Sequence, residues 1–251
     1  MFRLGNPYIV NPQIHHNQFG NLSMKDTPII LNNFNRLTST RNMYGFLKQR
    51  GFTNVVILDN NSSYPPLLDW YNTLPVNDLV RFKENYGAGC LFDSGFLNGI
   101  DSEYIVYSDS DLELNPLMPD NFLEVMKAMM LKYDEKKIGL ALRIDDVPEE
   151  CYKNCFTGSI NWEKQFWINQ LEKDVYKAMV DTTFCLLHKP EHPDFNALRI
   201  AGNFTARHLP WYLRYSDLNE EELYFIEHAN TQSNFRNGYF DWLNEQVNQI
   251  V

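Results

Sequence analysis

The chain has 251 residues, 14% of them aromatic, and a formal net charge of −10 at pH 7. That length buries a substantial core in one large α/β domain, or in a domain with a small subdomain. The acidic balance argues against nucleic acid and against docking on anionic lipid, since both need clustered Lys and Arg.

Residues 1–26 are polar, Asn-rich and without period, so they are expected to form an irregular leader. His15 and His16 have no carboxylate or cysteine at ligand spacing and are read as surface residues. No window approaches the length of a membrane span and the N-terminus lacks a signal-like apolar stretch, which predicts a soluble, intracellular (cytoplasmic) protein. Cys90, Cys151, Cys155 and Cys185 are too irregularly spaced for a disulfide framework or a zinc site and are expected to be free thiols.

The first expected strand starts at Pro28-Ile29-Ile30-Leu31 and runs into Asn32-Asn33-Phe34-Asn35-Arg36. Thr38 or Ser39 can cap the following helix, whose Met43, Phe46 and Leu47 face the sheet and which Gly51 ends. Val55 to Asp59 reads as a second buried strand, ending in Asn60-Asn61-Ser62-Ser63. Apolar runs without alternation suit a parallel sheet covered on both faces. A short helix opened by Pro65-Pro66, a strand over Leu79–Phe82 and a small-residue helix from Gly89 to about Asn98 lead to the next strand.

Ile105-Val106-Tyr107 forms that strand, and it delivers Asp109 and Asp111 at its carboxyl end, where open α/β sheets bind ligands. Side chains at i and i+2 of an extended segment share a side, roughly 7 Å apart along the chain, so a modest turn brings both carboxylates to one cation. Hard oxygen ligands select Mn²⁺ or Mg²⁺, whose remaining positions substrate phosphates commonly fill. Asp120 is expected to cap a helix with Val125, Met126, Met129 and Met130 on one side, and Ile138–Ile144 to follow as a strand.

Strand and helix thus alternate through residue 144, which right-handed crossovers turn into a doubly wound sheet. With Asn33, Asn35, Arg36, Asp59 and Asn60 after the first two strands, an Asn85-Tyr86-Gly87 turn, and Asp109-Ser110-Asp111, the stretch from 28 to 212 resembles GT-A-fold glycosyltransferases of the family 2 type. The resemblance implies an α/β, Rossmann-like, mostly parallel sheet with helices on both faces. It implies a catalytic domain over 27–215, with a nucleotide-sugar-binding half (27–116) and an acceptor half (117–215), and a helical tail over 216–251. The family's longer turn before the small-residue helix, with its repeated Asn and Arg, is only partly present. The implied activity moves a sugar from a nucleotide-diphosphate donor, UDP-linked by preference, to a hydroxyl of a glycan or other acceptor, with inversion. Asn33, Asn35, Arg36, Asp59, Asn60, Asn85, Gly87, Asp109 and Ser110 would hold the donor. Asp109 and Asp111 would hold the metal, with His208 as its third contact. Asp59 can accept from the imide N–H of uracil, and Asn33 or Asn35 can contact ribose, although each Asn also suits plain turn chemistry. Arg36 can neutralise pyrophosphate or pair with an acid.

Trp162, Phe166 and Leu171 are expected near one side of an amphipathic helix; the resemblance places acceptor binding here, where exposed rings stack on sugars, while core packing is the expected fate of two of the three. Ala178–Leu187 reads as a strand with Asp181 inside it, a costly position for a carboxylate without a partner or a task. Asp181 is therefore the first choice of general base and Glu163 the second. Arg199 and Arg207 can touch phosphate or pair with Glu220, Glu221 or Glu222, and two tail helices pack on the core. Rival readings are a non-catalytic nucleotide-sugar or glycan-binding module, a sugar nucleotidyltransferase, whose glycine-rich loop is lacking here, and a haloacid-dehalogenase-type phosphatase, whose acidic pair lies at its first strand.

Overall fold

A computed structural model describes residues 24–151, 157–189 and 196–248. His15, His16 and Cys155 lie outside the described residues. Among the described cysteines, Cys90, Cys151 and Cys185 are buried, and Cys90 and Cys185 are free thiols.

Ten strands form one mixed sheet: β1 (Ile29–Asn33), β2 (Val55–Asp59), β3 (Leu79–Arg81), β4 (Tyr104–Asp109), β5 (Leu112–Leu114), β6 (Lys137–Leu142), β7 (Gln170–Glu172), β8 (Val175–Lys177), β9 (Cys185–His188) and β10 (Leu198–His208). The helices are α1 (Thr38–Gln49), α2 (Pro65–Tyr71), α3 (Cys90–Asp93), α4 (Phe122–Tyr133), α5 (Glu149–Cys151), α6 (Thr157–Glu163), α7 (Glu220–His228) and α8 (Asn234–Asn248). In space the strands run β3-β2-β1-β4-β9-β6-β10-β8-β7, with β5 paired to β10.

The half from β3 to β4 is wholly parallel. Every residue of β1 and β2 is buried, as the unalternating apolar runs predict for strands covered on both faces. Ile29 and Leu31 belong to the larger apolar cluster with Met43, Leu47, Phe122 and Met126 from α1 and α4. Ile30 points the other way, into a smaller cluster with Cys90, Leu91 and Tyr107. The period-2 alternation of side chains thus gives each face of the sheet its own core.

Beyond β4 the order departs from a simple succession. β9 enters antiparallel between β4 and β6, and β6 pairs in parallel with β10. The strand expected over Ala178–Leu187 is only Cys185–His188. Asp181 lies outside the ladder because its Oδ1 accepts from the Thr183 backbone N–H (3.2 Å) and hydroxyl (2.9 Å), closing a turn instead. The helix expected from Gly89 to Asn98 is the single turn α3 between 3₁₀ turns, interrupted at Gly95, whose φ is +75°. Trp162 lies near the end of α6 rather than at the start of a helix, and Leu171 is on β7. Thr38 opens α1 without a side-chain cap of its own kind. Glu221 of α7 accepts from the Thr38 N–H (2.9 Å) and hydroxyl (2.7 Å), so a residue 183 positions away supplies the missing acceptor.

Gly139 in the middle of β6 sets a tight contact between layers. A Cβ there would stand 2.6 Å from Val180 Cγ1. Gly139→Ala is expected to cost about 1–3 kcal/mol in urea unfolding, the usual range for overpacking. A loss below about 0.5 kcal/mol would mean that the Val180 segment yields freely.

Candidate active site

The carboxyl ends of β1, β2 and β4 meet at one edge of the sheet. Parallel register puts Asn32 opposite Asp109, and the Asn32 amide donates to Asp109 Oδ1 (3.1 Å) and to the Gly87 carbonyl (3.2 Å). The Asn60 amide donates to the same Gly87 carbonyl (3.0 Å), while its oxygen accepts from the Tyr86 N–H (3.0 Å). Asn85 accepts from the Gly87 N–H (2.8 Å), closing a turn that needs the glycine's φ of +66°. Thr182, in the turn after Asp181, donates its hydroxyl to Asp109 Oδ2. Both oxygens of Asp109 are thereby aimed by neighbours.

His208 reaches Asp111 through β10. Gly202, with φ +63°, sits inside a register shift between Ile200 and Thr205, after which the strand turns to pair with β5. His208 then faces Leu112, the Leu209 N–H donates to the Asp111 carbonyl (2.9 Å), and His208 Nε2 stands 3.5 Å from Asp111 Oδ2. The Trp211 ring meets the imidazole edge-on at 4.9 Å.

These charges act on one another. Burial and then the Asp111 charge push the Asp109 carboxyl up to about 7. Burial also works to raise Asp111, but His208 outweighs it and holds that carboxyl down at about 2. Burial opposes a charged His208, yet Asp111, Asp109 and Asp181 together raise its pKa.

The site opens into two cavities. The larger, about 760 Å³, holds Asp181, Glu163, Trp162 and His208. The smaller, about 430 Å³, holds Asn32, Asn60, Asn85, Gly87, Ser110 and Phe34. Arg36, Asp109 and Asp111 line both. Asp181 is exposed, and although burial works to raise its pKa, the Thr183 hydrogen bonds and the Arg199 charge keep it below the usual carboxylate range. Glu163 is only 4% exposed and pairs with the equally buried Arg199, whose guanidinium lies 4.3 Å from the Phe166 ring centroid. Burial pushes the Glu163 carboxyl up to about 7 against the pull of Arg199.

Three residues expected at the donor turn inward instead. Asp59 is fully buried, accepting from the Tyr71 hydroxyl (3.0 Å), the Ser62 N–H (3.1 Å) and Arg81 (3.3 Å). Asn35, in the left-handed region at φ 52°, caps the Ser63 (2.7 Å) and Tyr64 (3.0 Å) N–H groups. Asn33 donates to the Tyr71 hydroxyl (2.8 Å) and accepts from Ser110 (2.9 Å). None of the three lines either cavity: Asn35 and Asp59 close turns, and Asn33 ties β1 to Tyr71 and Ser110. Arg36 pairs with Glu222 of α7 between the rings of Phe225 (4.0 Å) and Phe235 (5.3 Å). Arg207 pairs with Asp146 (2.7 Å) and Glu113 (2.8 Å) rather than with the tail.

Sequence reading missed Asn32, Thr182 and the tail residues at the cavities. Asn32 and Asn33 point to opposite sides of the sheet, and nothing local distinguishes the open side.

The donor set fits a hard divalent cation in part. Asp111 Oδ1 and His208 Nδ1 are buried and have no hydrogen-bond partner among the described residues. No group of three or more His, Cys, Asp or Glu among those residues is arranged to hold a metal by itself. An ion held at Asp111, with Asp109 or His208 beside it, would therefore be completed by oxygens from elsewhere.

The sequence matches no family model and no curated protein. Among solved structures, a crystal structure of residues 1–349 of S. aureus TarS is similar over 87% of this chain and 70% of that one, at 11% identity and a TM-score of 0.43. HddC from Yersinia pseudotuberculosis is similar over 68% of this chain and 83% of its own, at 13% identity and a TM-score of 0.41. A longer TarS structure is similar over 51% and 24%, at 16% identity and 0.35. Likeness at this level carries no argument about chemistry, and the α/β class rests on the sheet itself. No helix among the described residues is long and apolar enough to cross a membrane.

Proposed function

We propose that the chain is a metal-dependent glycosyltransferase of the GT-A type, taking a sugar from a nucleotide-diphosphate donor to an acceptor hydroxyl with inversion. The observation that carries this reading is a pair of carboxylates, Asp109 and Asp111, standing where a small amide-lined cavity meets a larger one that holds a separate, exposed carboxylate, Asp181. The smaller cavity suits a nucleoside, with amides for its polar edges and Phe34 for its planar face. The larger suits an acceptor, with Trp162, 61% exposed, free to stack on a ring.

Mn²⁺ or Mg²⁺ on Asp111, Asp109 and His208 would supply positive charge to the departing diphosphate. Asp181 takes the proton of the acceptor hydroxyl. The oxygen's electron pair forms the new bond to the anomeric carbon, and the pair of the breaking C–O bond leaves with the nucleoside diphosphate. Asp181 then returns the proton to solvent. Glu163, tied to Arg199, shapes the floor of the larger cavity instead.

Nucleotide release from a panel of UDP and GDP sugars, with Mn²⁺ present and then chelated, tests the reading. Release of nucleotide from at least one donor, lost on chelation, is expected. Tight, metal-dependent donor binding without release would make the chain a binding module.

A further inference from the structure

Six residues line both cavities: Arg36, Asp109, Asp111, Phe225, Ser233 and Asn234. They form a neck, and the last three come from the C-terminal tail, a stretch without a catalytic motif. We infer that Ser233 and Asn234 read the transferred group, and that the neck takes an uncharged sugar.

The inference rests on the glycosyltransferase reading and deepens it. If the nucleoside fills the smaller cavity and the acceptor enters through the larger, the bond that breaks lies between them, so the sugar occupies the neck. One wall of the neck is Asp109 and Asp111. The facing tail wall offers an exposed Asn234 amide and a half-buried Ser233 hydroxyl. Ser233 Oγ accepts from the Arg236 N–H (3.3 Å), which leaves its own proton to donate. Amide and hydroxyl together match the donors and acceptors of sugar hydroxyls. Arg36, the one cation of the six, is already paired with Glu222 and packed between Phe225 and Phe235. A bound dication's two charges would be taken up by Asp109, Asp111 and the donor's own diphosphate, so a sugar carboxylate would find no unclaimed positive partner in the neck, which selects against it.

The tail is held for this task. Glu221 caps the start of α1, the Asn219 side chain accepts from the Glu222 N–H (2.9 Å) at the start of α7, and Phe235 is buried in the core beside Tyr215 at 5.6 Å. Ser233 and Asn234 thus stand on a connection fixed at both ends.

The test compares UDP-glucose with UDP-glucuronate, and GDP-mannose with its uronate, in the wild type, Asn234→Ala and Asn234→Lys, all read as nucleotide release, with inhibition by free UDP and GDP alongside. The wild type is expected to use a neutral donor at least about tenfold better than its uronate. Asn234→Ala should lower kcat/KM for the neutral donor about tenfold with inhibition by free nucleotide changed less than about twofold, the size of one lost hydrogen bond confined to the sugar. Asn234→Lys should narrow the gap between neutral and uronate donors. Equal use of both donors by the wild type, or an unchanged donor ranking in both variants, overturns the neck alone. Release from no donor by the wild type removes the glycosyltransferase reading and the neck with it.

Discussion

Asp111→Ala is expected to lower nucleotide release by about 10²-fold or more, the scale seen when one preorganised electrostatic group is removed from a transition state, and to leave the fold intact. Asp111 is held ionised by His208, with its pKa down at about 2, so it carries full charge at any working pH. Its Oδ1 is buried without a hydrogen-bond partner among the described residues, which costs stability in the resting protein. Its charge also helps push Asp109 up to about 7. Deleting it removes an unsatisfied acceptor and a repulsion on Asp109, and also the carboxylate that raises the His208 pKa. The lost contribution of a depressed carboxyl and the relieved repulsion oppose each other, so the variant should melt within a few degrees of the wild type while losing activity. Calorimetric titration with Mn²⁺ gives a readout independent of turnover. Undiminished Mn²⁺ affinity and undiminished release would remove the carboxylate pair from the chemistry.

The second large effect is on stability, at the floor of the larger cavity. Arg199 is 3% exposed and cannot lose its charge, whereas Glu163 can be neutralised by a proton. The pair should therefore respond asymmetrically. Glu163→Leu leaves a buried guanidinium with the Met179 carbonyl (2.7 Å) and the Phe166 ring as its remaining support, and is expected to cost about 3 kcal/mol at pH 7, the lower end for breaking a buried pair. Arg199→Met lets Glu163 take up a proton, so its cost should be small at pH 6 and grow toward pH 8.5. The sign follows from the raised carboxyl. With a folded pKa of about 7 against an ordinary 4.5, Glu163 favours the folded state fully at low pH, and that contribution is lost as pH rises through about 7. Removing Arg199 drives the folded value higher and extends the loss. Urea unfolding at the two pH values measures it. Equal costs for the two variants, independent of pH, would mean that neither charge is isolated from water.

Much of the first half of the molecule is legible in its sequence because local and global signals agree. β1, β2 and β4 are short apolar runs ended by Asn and Asp, and their shortness and β-branched or aromatic content mark them as strands covered on both faces. Asp109 and Asp111 follow from where such strands end. The second half resists because its geometry comes from distant partners. Ala178-Met179-Val180 is as apolar as a strand, but only the turn at Asp181 and the insertion of β9 decide that pairing starts at Cys185. Asp59 and Asn35 carry the right groups for a ligand and spend them on Tyr71, Ser63 and Tyr64, a distinction that only packing makes. Ser233 ends the polar stretch after α7 and Asn234 opens α8, and neither carries a local signal, because their role depends on where Glu221, Glu222 and Phe235 anchor the tail.

The place of β9 also bears on how the polypeptide reaches its native state. β4 ends at Asp109, and the strand that must pair with its far edge begins at Cys185. A nascent chain carries an open, apolar β4 edge until the residues from Cys185 onward are made, and such edges are templates for wrong pairing. The long loop this closes raises the mean sequence separation of native contacts and slows folding accordingly. The sheet's amino-terminal half is sealed only when its carboxyl-terminal complement arrives.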